Sequence, residues 1–160
     1  MNDKFINLPS ELTRHRYSFQ TTEHRSSIPP RPKGYAFPDH WTPSQQLRED
    51  RDLLIYRLDG VEIARVTLVY DRTSWGLGNY SPVPKGNFSE ISFIDIREKY
   101  RGLGYGRAIV SDIEELTYHN IIIALAEDED AEAFWEAIGW HLACDPHDIH
   151  LRKLYSNHIY

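Results

Sequence analysis

At 160 residues, with 41% hydrophobic and 12% aromatic content, the chain is long enough for one sizeable core and too short for two ordinary domains. A formal charge of −6 disfavours nucleic acid and anionic lipid as partners, because the long-range field repels both. Cys144 is the only cysteine, which excludes an internal disulfide and any multi-cysteine metal site. With no signal-like apolar run in the first thirty residues and no membrane-spanning run anywhere, a soluble cytoplasmic protein is expected.

The part before residue 45 reads as irregular. Five prolines (Pro29, Pro30, Pro32, Pro38 and Pro43) rule out a continuous helix or a central strand there. Residues 14–22, "RHRYSFQTT", suit a strand with Tyr17 and Phe19 on one face, and Ser44 to Asp50 suits a short helix capped by Thr42 or Ser44. The core is expected over 52–155. It opens with "LLIYRLDGVEIARVTLVY", two β-rich runs joined by Asp59-Gly60, the dipeptide that fits a two-residue type I′ turn. That register sets Leu58 opposite Val61 and Arg57 opposite Glu62, an opposite-charge cross-strand pair. After a Gly/Pro/Asn-rich loop, Ser89 to Ile96 reads as a buried strand. Residues 104–119 read as a helix with Ile109, Ile113 and Leu116 on one face. Ile121 to Leu125 has the continuous apolar character of a strand buried on both faces. Ala131, Phe134, Trp135 and Ile138 repeat at helical spacing, with Gly139 as the stop. Two more strands are expected around Asp145-Pro146. The order gives a mixed α/β domain over 1–160, with a mostly antiparallel sheet and a central β-α-β unit flanked by helices.

"KYRGLGYGRA", residues 99–108, sits where that central unit turns from strand into helix. A helix start carries unpaired N–H groups and a partial positive charge, so it favours an anion. Gly102, Gly104 and Gly106 remove side chains that would keep a phosphate from those N–H groups. The glycines equally suit a plain tight turn. The dinucleotide fingerprint fails here, since its last position would fall on Arg107 or Ile109, and no P-loop run exists. A pyrophosphate is the economical ligand.

"IDIREKYRGLGYGRAIV" resembles the central motif of the GNAT superfamily of acyl-CoA-dependent N-acyltransferases, Arg/Gln-x-x-Gly-x-Gly/Ala, filled by Arg101, Gly104 and Gly106. Twenty-eight residues past Gly106, "AFWEAIGW" is similar to the family's second landmark, Phe-Tyr-x-x-x-Gly-Phe, through Phe134, Gly139 and, conservatively, Trp140. The resemblance spans roughly residues 88–141. It implies an acetyl-CoA co-substrate whose pantetheine arm pairs with the backbone of Ile94, Asp95 and Ile96. The N–H groups of Gly102, Leu103, Gly104, Tyr105, Gly106 and Arg107 would then hold its pyrophosphate. It places Asp128 where the family usually has an Asn that contacts the pantetheine arm. Asp keeps the acceptor and loses the donor, and it also suits a helix N-cap. Phe134 and Trp135 fall on the helix that lines the coenzyme.

An amine with a pKa of about 10 must lose a proton before its nitrogen attacks a thioester. Glu90, six residues before Ile96, stands where some family members place a catalytic glutamate; an exposed acid at a strand start is its plain alternative. Asp95 is the second candidate, since a buried carboxylate needs a partner or a task. Trp135 occupies the place of the family's usual general-acid tyrosine, and its indole can donate a hydrogen bond but no proton. Tyr105 and Tyr118 are substitutes by type, and core packing suits Trp135 equally.

His147 and His150 would point to opposite faces of an extended segment, so no metal is expected. Tyr35, Phe37, Trp41, Trp75 and Tyr80 lie in loops of the kind that build acceptor sites. The expected function is acetyl transfer from acetyl-CoA to a primary amine of a small molecule, peptide or protein, by direct attack in a ternary complex. A non-catalytic acyl-CoA-binding module is the alternative. A toxin acting on charged tRNA is disfavoured by the net charge, and the assembly is left between monomer and homodimer.

Overall fold

The computed structural model describes residues 11–18, 28–36, 50–72, 80, 87–118, 120–144, 146 and 152–158. Among the described residues, seven strands and two α-helices follow one another as β1 (Leu12–Ser18), β2 (Arg51–Leu58), β3 (Val61–Arg72), β4 (Phe88–Ile96), α1 (Tyr105–Leu116), β5 (Ile122–Leu125), α2 (Glu129–Ala137), β6 (His141–Cys144) and β7 (Leu154–Ser156). The sheet order is β1-β2-β3-β4-β5-β7-β6, and the fold is the mixed α/β, mostly antiparallel arrangement expected. The chain divides into two compact units, one of Met1–Leu68 with Phe93–Tyr118 and one of Val69–Ser92 with His119–Tyr160.

In the first unit β1 and β2 pair antiparallel from Leu12↔Leu58 to Ser18↔Asp52. Leu53, Leu54, Ile55 and Tyr56 are all fully buried, because β2 is covered on both faces. On one face Leu53 and Ile55 pack with Ile28 and Tyr17. On the other, the Tyr56 hydroxyl donates to Asp112 of α1 at 2.8 Å, and Arg14, opposite Tyr56 in the ladder, pairs with the same carboxylate. The hairpin turn falls at Asp59 and Gly60, whose φ values of 49° and 79° are those a type I′ turn requires. Glu62 is engaged by Arg65 and Tyr35.

α1 begins one residue later than the glycine pattern suggests. Gly104 is its N-cap, with φ 88°, and the helix buries Ala108, Ile109, Val110 and Ile113. It ends at Thr117, whose hydroxyl bonds the Ile113 carbonyl at 2.9 Å.

In the second unit β4 and β5 run parallel, with Ser89 opposite Ile122 and Glu90 opposite Ile123. β4 runs on to Ile96, its residues from Phe93 onward belonging to the first unit. β7 lies antiparallel to both β5 and β6, with an irregularity in β6 between Leu142 and Cys144. Tyr80, Phe88, Ile123, Cys144 and Leu154 form the core cluster here. The two strands expected around Asp145-Pro146 are present, and β7 starts eight residues beyond that proline. The helix expected over Ser44 to Asp50 lies outside the described residues except for Asp50, which is in a turn before β2, and so does the 19–22 end of the expected first strand.

Candidate functional site

In the first unit, β4 delivers the chain into a single 3₁₀ turn, Glu98–Tyr100, and then into the glycine loop. Gly102 and Gly104 have φ of 71° and 88°, left-handed values that a side chain strains to adopt. Gly106 is different, being buried inside the first turn of α1. A methyl group built on Gly102 or Gly104 would meet nothing within 4 Å, so these glycines are there for backbone conformation, and the space beside them is open. Ala108 is the first residue of the helix whose N–H reaches back one turn, to the Gly104 carbonyl at 3.2 Å. The N–H groups of Tyr105 and Gly106 precede it and have no carbonyl to reach within the helix, which is the donor set an anion takes. Leu103 is exposed, and Tyr105 is half-buried with its ring edge-on to Tyr100 at 6.4 Å.

Arg101 turns back to the strand that precedes it. Its Nε donates to the Ile96 carbonyl at 2.7 Å, and its terminal nitrogen lies 3.4 Å from Asp95 Oδ1. Asp95 is 4% exposed. Its Oδ2 pairs with Arg31 at 3.1 Å, and its Oδ1 also faces the Ala36 N–H at 3.4 Å. The buried acid therefore has partners on both oxygens. Arg31 is further placed over the Tyr35 ring, 4.6 Å from its centre. Burial first, then the nearby Glu62 carboxylate, holds the Tyr35 hydroxyl well above the ordinary tyrosine range, so it stays a donor to Glu62 at 2.8 Å. Ile94 and Ile96 are half-buried beside Asp95 on β4.

In the second unit Glu90 is 7% exposed on β4, opposite Ile123, and thus is not the exposed acid of the plain alternative. Tyr80 is buried in the core cluster of this unit. Burial raises its hydroxyl pKa against the opposing effect of the Arg152 backbone N–H, with Cys144 and Glu90 adding to the rise. Asp128 is the N-cap of α2, accepting from the Ala131 N–H at 2.8 Å, as its helix-start position allows. Trp135 is 3% exposed, stacked on Trp140 at 4.5 Å and edge-on to the half-buried Phe134 at 4.9 Å. Its surroundings are those of a packing residue. Of the two tyrosines considered as proton donors, Tyr118 is 87% exposed just past α1.

Arg31 and Arg65 were not singled out by sequence reasoning. Both find partners far along the chain or at an unexpected register, and a lone arginine among prolines carries no local signal. Phe37, Trp41, Trp75, His147 and His150 lie outside the described residues. Among the described residues, no group of three or more His, Cys, Asp or Glu could hold a metal ion, and no helix is long and apolar enough to cross a membrane.

A left-handed glycine N-cap, a first helical turn whose leading N–H groups have no acceptor within the helix, and an arginine anchored to the preceding strand meet at the start of α1. The acetyltransferase (GNAT) family model matches residues 17–140, and the chain belongs to that family; coenzyme A is the co-substrate that goes with it. Solved structures agree on the fold. A mutant form of the toxin AtaT is 12% identical with a TM-score of 0.60, over 94% of this chain and 91% of that one. An acetyltransferase from Thermus thermophilus is 16% identical with a TM-score of 0.56, over 72% of this chain and 69% of that one. The Bacillus subtilis N-acetyltransferase YlbP, in complex with coenzyme A, is 15% identical with a TM-score of 0.51, over 67% of each chain. No curated protein matches the sequence.

Proposed function

We propose that this chain acts as a single cytoplasmic N-acetyltransferase domain, moving an acetyl group from acetyl-CoA to a primary amine of a small molecule, peptide or protein by direct attack in a ternary complex. The observation that carries the reading is the loop from Arg101 to Arg107, with its left-handed Gly102 and Gly104 and the open donors of Tyr105 and Gly106. Those N–H groups hold the pyrophosphate, and the positive end of α1 favours its charge. The backbone of Ile94 to Ile96, past the paired stretch of β4 and β5, takes the pantetheine arm. Acetyl-CoA supplies the acyl group as a thioester.

Glu90 is the group proposed to accept the amine proton, directly or through a water. The nitrogen then forms its bond to the carbonyl carbon, the carbon–sulfur bond breaks, and the thiolate leaves to be protonated. A thiol pKa of about 8.5 makes that departure tolerable without a strong acid, which suits a site where Trp135 stands in place of tyrosine. Asp95, with both oxygens engaged by cations and an N–H, is read as holding the loop. Asp128 keeps its cap and offers its second oxygen to the arm.

A second reading, an acyl-CoA-binding module without turnover, is favoured by the packed surroundings of Trp135. Thiol release from acetyl-CoA, followed over a panel of amines, peptides and aminoacyl-tRNA, separates the two. Turnover with one acceptor, lowered about 100-fold in kcat by Glu90→Gln, is the expected result. Coenzyme A binding with no turnover on any acceptor, and no effect of Glu90→Gln, would establish the module instead. Charged RNA is the least expected acceptor, given the net charge of −6.

A further inference from the structure

The segment 28–36 is sequestered against the strand that leads into the glycine loop. Ile28 fills the core beside Leu53 and Ile55, and the Pro29 carbonyl accepts from Arg65 at 2.8 Å. Further along, the Lys33 carbonyl accepts from Arg97 and the Gly34 carbonyl from the Glu98 N–H, each at 2.8 Å. Arg31 and the Ala36 N–H close on Asp95. Apart from the Tyr35 hydroxyl, which donates to Glu62, the contacts described for 31–36 fall on Asp95, Arg97 and Glu98, shortly before Arg101.

Gly102 and Gly104 are left-handed with open space around both, so packing fixes neither of them directly. Glycine leaves the backbone many alternatives, so such a loop must be held from its ends. α1 holds one end. At the other, Arg101 is tied to the Ile96 carbonyl and to Asp95, and Asp95 is tied in turn to Arg31 and Ala36. A carboxylate this buried is costly when it loses a partner. Releasing Arg31 would take a cation away from Asp95 and so change the field in which the Arg101 guanidinium is held.

We infer that Asp95 is a positioning residue that couples docking of segment 28–36, through Arg31, to the affinity of the Arg101 loop for the pyrophosphate of coenzyme A. This rests on the reading of that loop as the coenzyme site. Coupling of this kind is reciprocal, so coenzyme A must in turn hold the segment in place.

The test is titration calorimetry with coenzyme A on the full chain and on Arg31→Met, Arg31→Lys and Gly104→Asp, together with amide hydrogen exchange across 28–36 with and without coenzyme A. The expected results are about tenfold weaker binding in Arg31→Met, within the usual range of site-to-site coupling, and partial recovery in Arg31→Lys. Exchange at Gly34 and Ala36 slows on adding coenzyme A to the parent chain, and that slowing is lost in Arg31→Met. A purely structural salt bridge would lower stability without making exchange in 28–36 respond to coenzyme A. Unchanged affinity in a folded Arg31→Met, or no slowing in the parent, overturns the inference. Should Arg31→Met not fold, Arg31→Lys and the parent exchange data decide it alone. Binding that is lost in Gly104→Asp yet untouched by the Arg31 changes refutes the coupling and keeps the coenzyme site. No binding by the parent refutes both.

Discussion

Arg65 shows what a single residue decides in this protein. It is 1% exposed, and its guanidinium meets Glu62 through Nε at 2.6 Å and the Pro29 carbonyl at 2.8 Å. Burying both charges is offset only while they stay together, and removing one leaves the other without compensation. Arg65→Met should therefore cost about 3 kcal/mol in urea unfolding, and pairing it with Glu62→Leu should recover most of the loss. A double variant as unstable as the single one would mean that Arg65 acts through packing and its bond to Pro29. None of this was legible from the sequence. The hairpin register sets Glu62 opposite Arg57, and it has no means of seeing that a carbonyl thirty-six residues back supplies the rest of the site for Arg65. Asp95 was legible by half: a carboxylate between two isoleucines needs a partner, but nothing local names Arg31, sixty-four residues away.

Elements were read more reliably, because what defines them is local. The Asp59-Gly60 turn, the start of α1 at a glycine and the stop of α2 at Gly139 each follow from backbone conformations that few residues adopt, and φ at Gly139 is 90°. Helical spacing of Ile109 and Ile113 placed the buried face of α1 correctly. Asp128 had two readings, and its bond to the Ala131 N–H makes it a working cap. Asp128→Ala should lower stability by about 1 kcal/mol, with Asp128→Asn close to the parent, in denaturant midpoints. A pantetheine contact would appear separately, as weaker coenzyme A binding in both variants. Strand order was not legible, since β7 enters between β5 and β6 and pairing of that kind depends on contacts distant in sequence. Over its described residues, 28–36, the proline-rich segment carries no helix or strand, and its docking was invisible for the same reason.

At the scale of the whole molecule, three tyrosines couple folding to alkaline pH. Burial is the first cause for each of Tyr35, Tyr56 and Tyr80, joined at Tyr35 by Glu62 and at Tyr56 by Asp112. All three hydroxyls are raised above the unfolded value of about 10. The unfolded chain then loses protons first as pH rises, so their contribution is complete below about pH 10 and is lost above it. Stability measured by urea should fall from about pH 10 upward, and Tyr56→Phe should make that fall shallower. A slope unchanged in Tyr56→Phe would place the coupling elsewhere. The loop proposed to hold the coenzyme faces a different balance. Arg97, Lys99, Arg101 and Arg107 crowd one short stretch of an acidic chain, so local attraction for phosphate coexists with general repulsion of polyanions.

The place of β7 also bears on how the protein is made. β5 and β6 are separated in the sheet by a strand synthesised after both of them. Until the ribosome has passed residue 156, Ile122–Leu125 and His141–Cys144 each lack the neighbour they have in the finished sheet. During that interval the nascent second unit carries open strand edges of the kind that seek pairing with other chains. Completion of its sheet thus waits on β7, the last of the described strands in chain order.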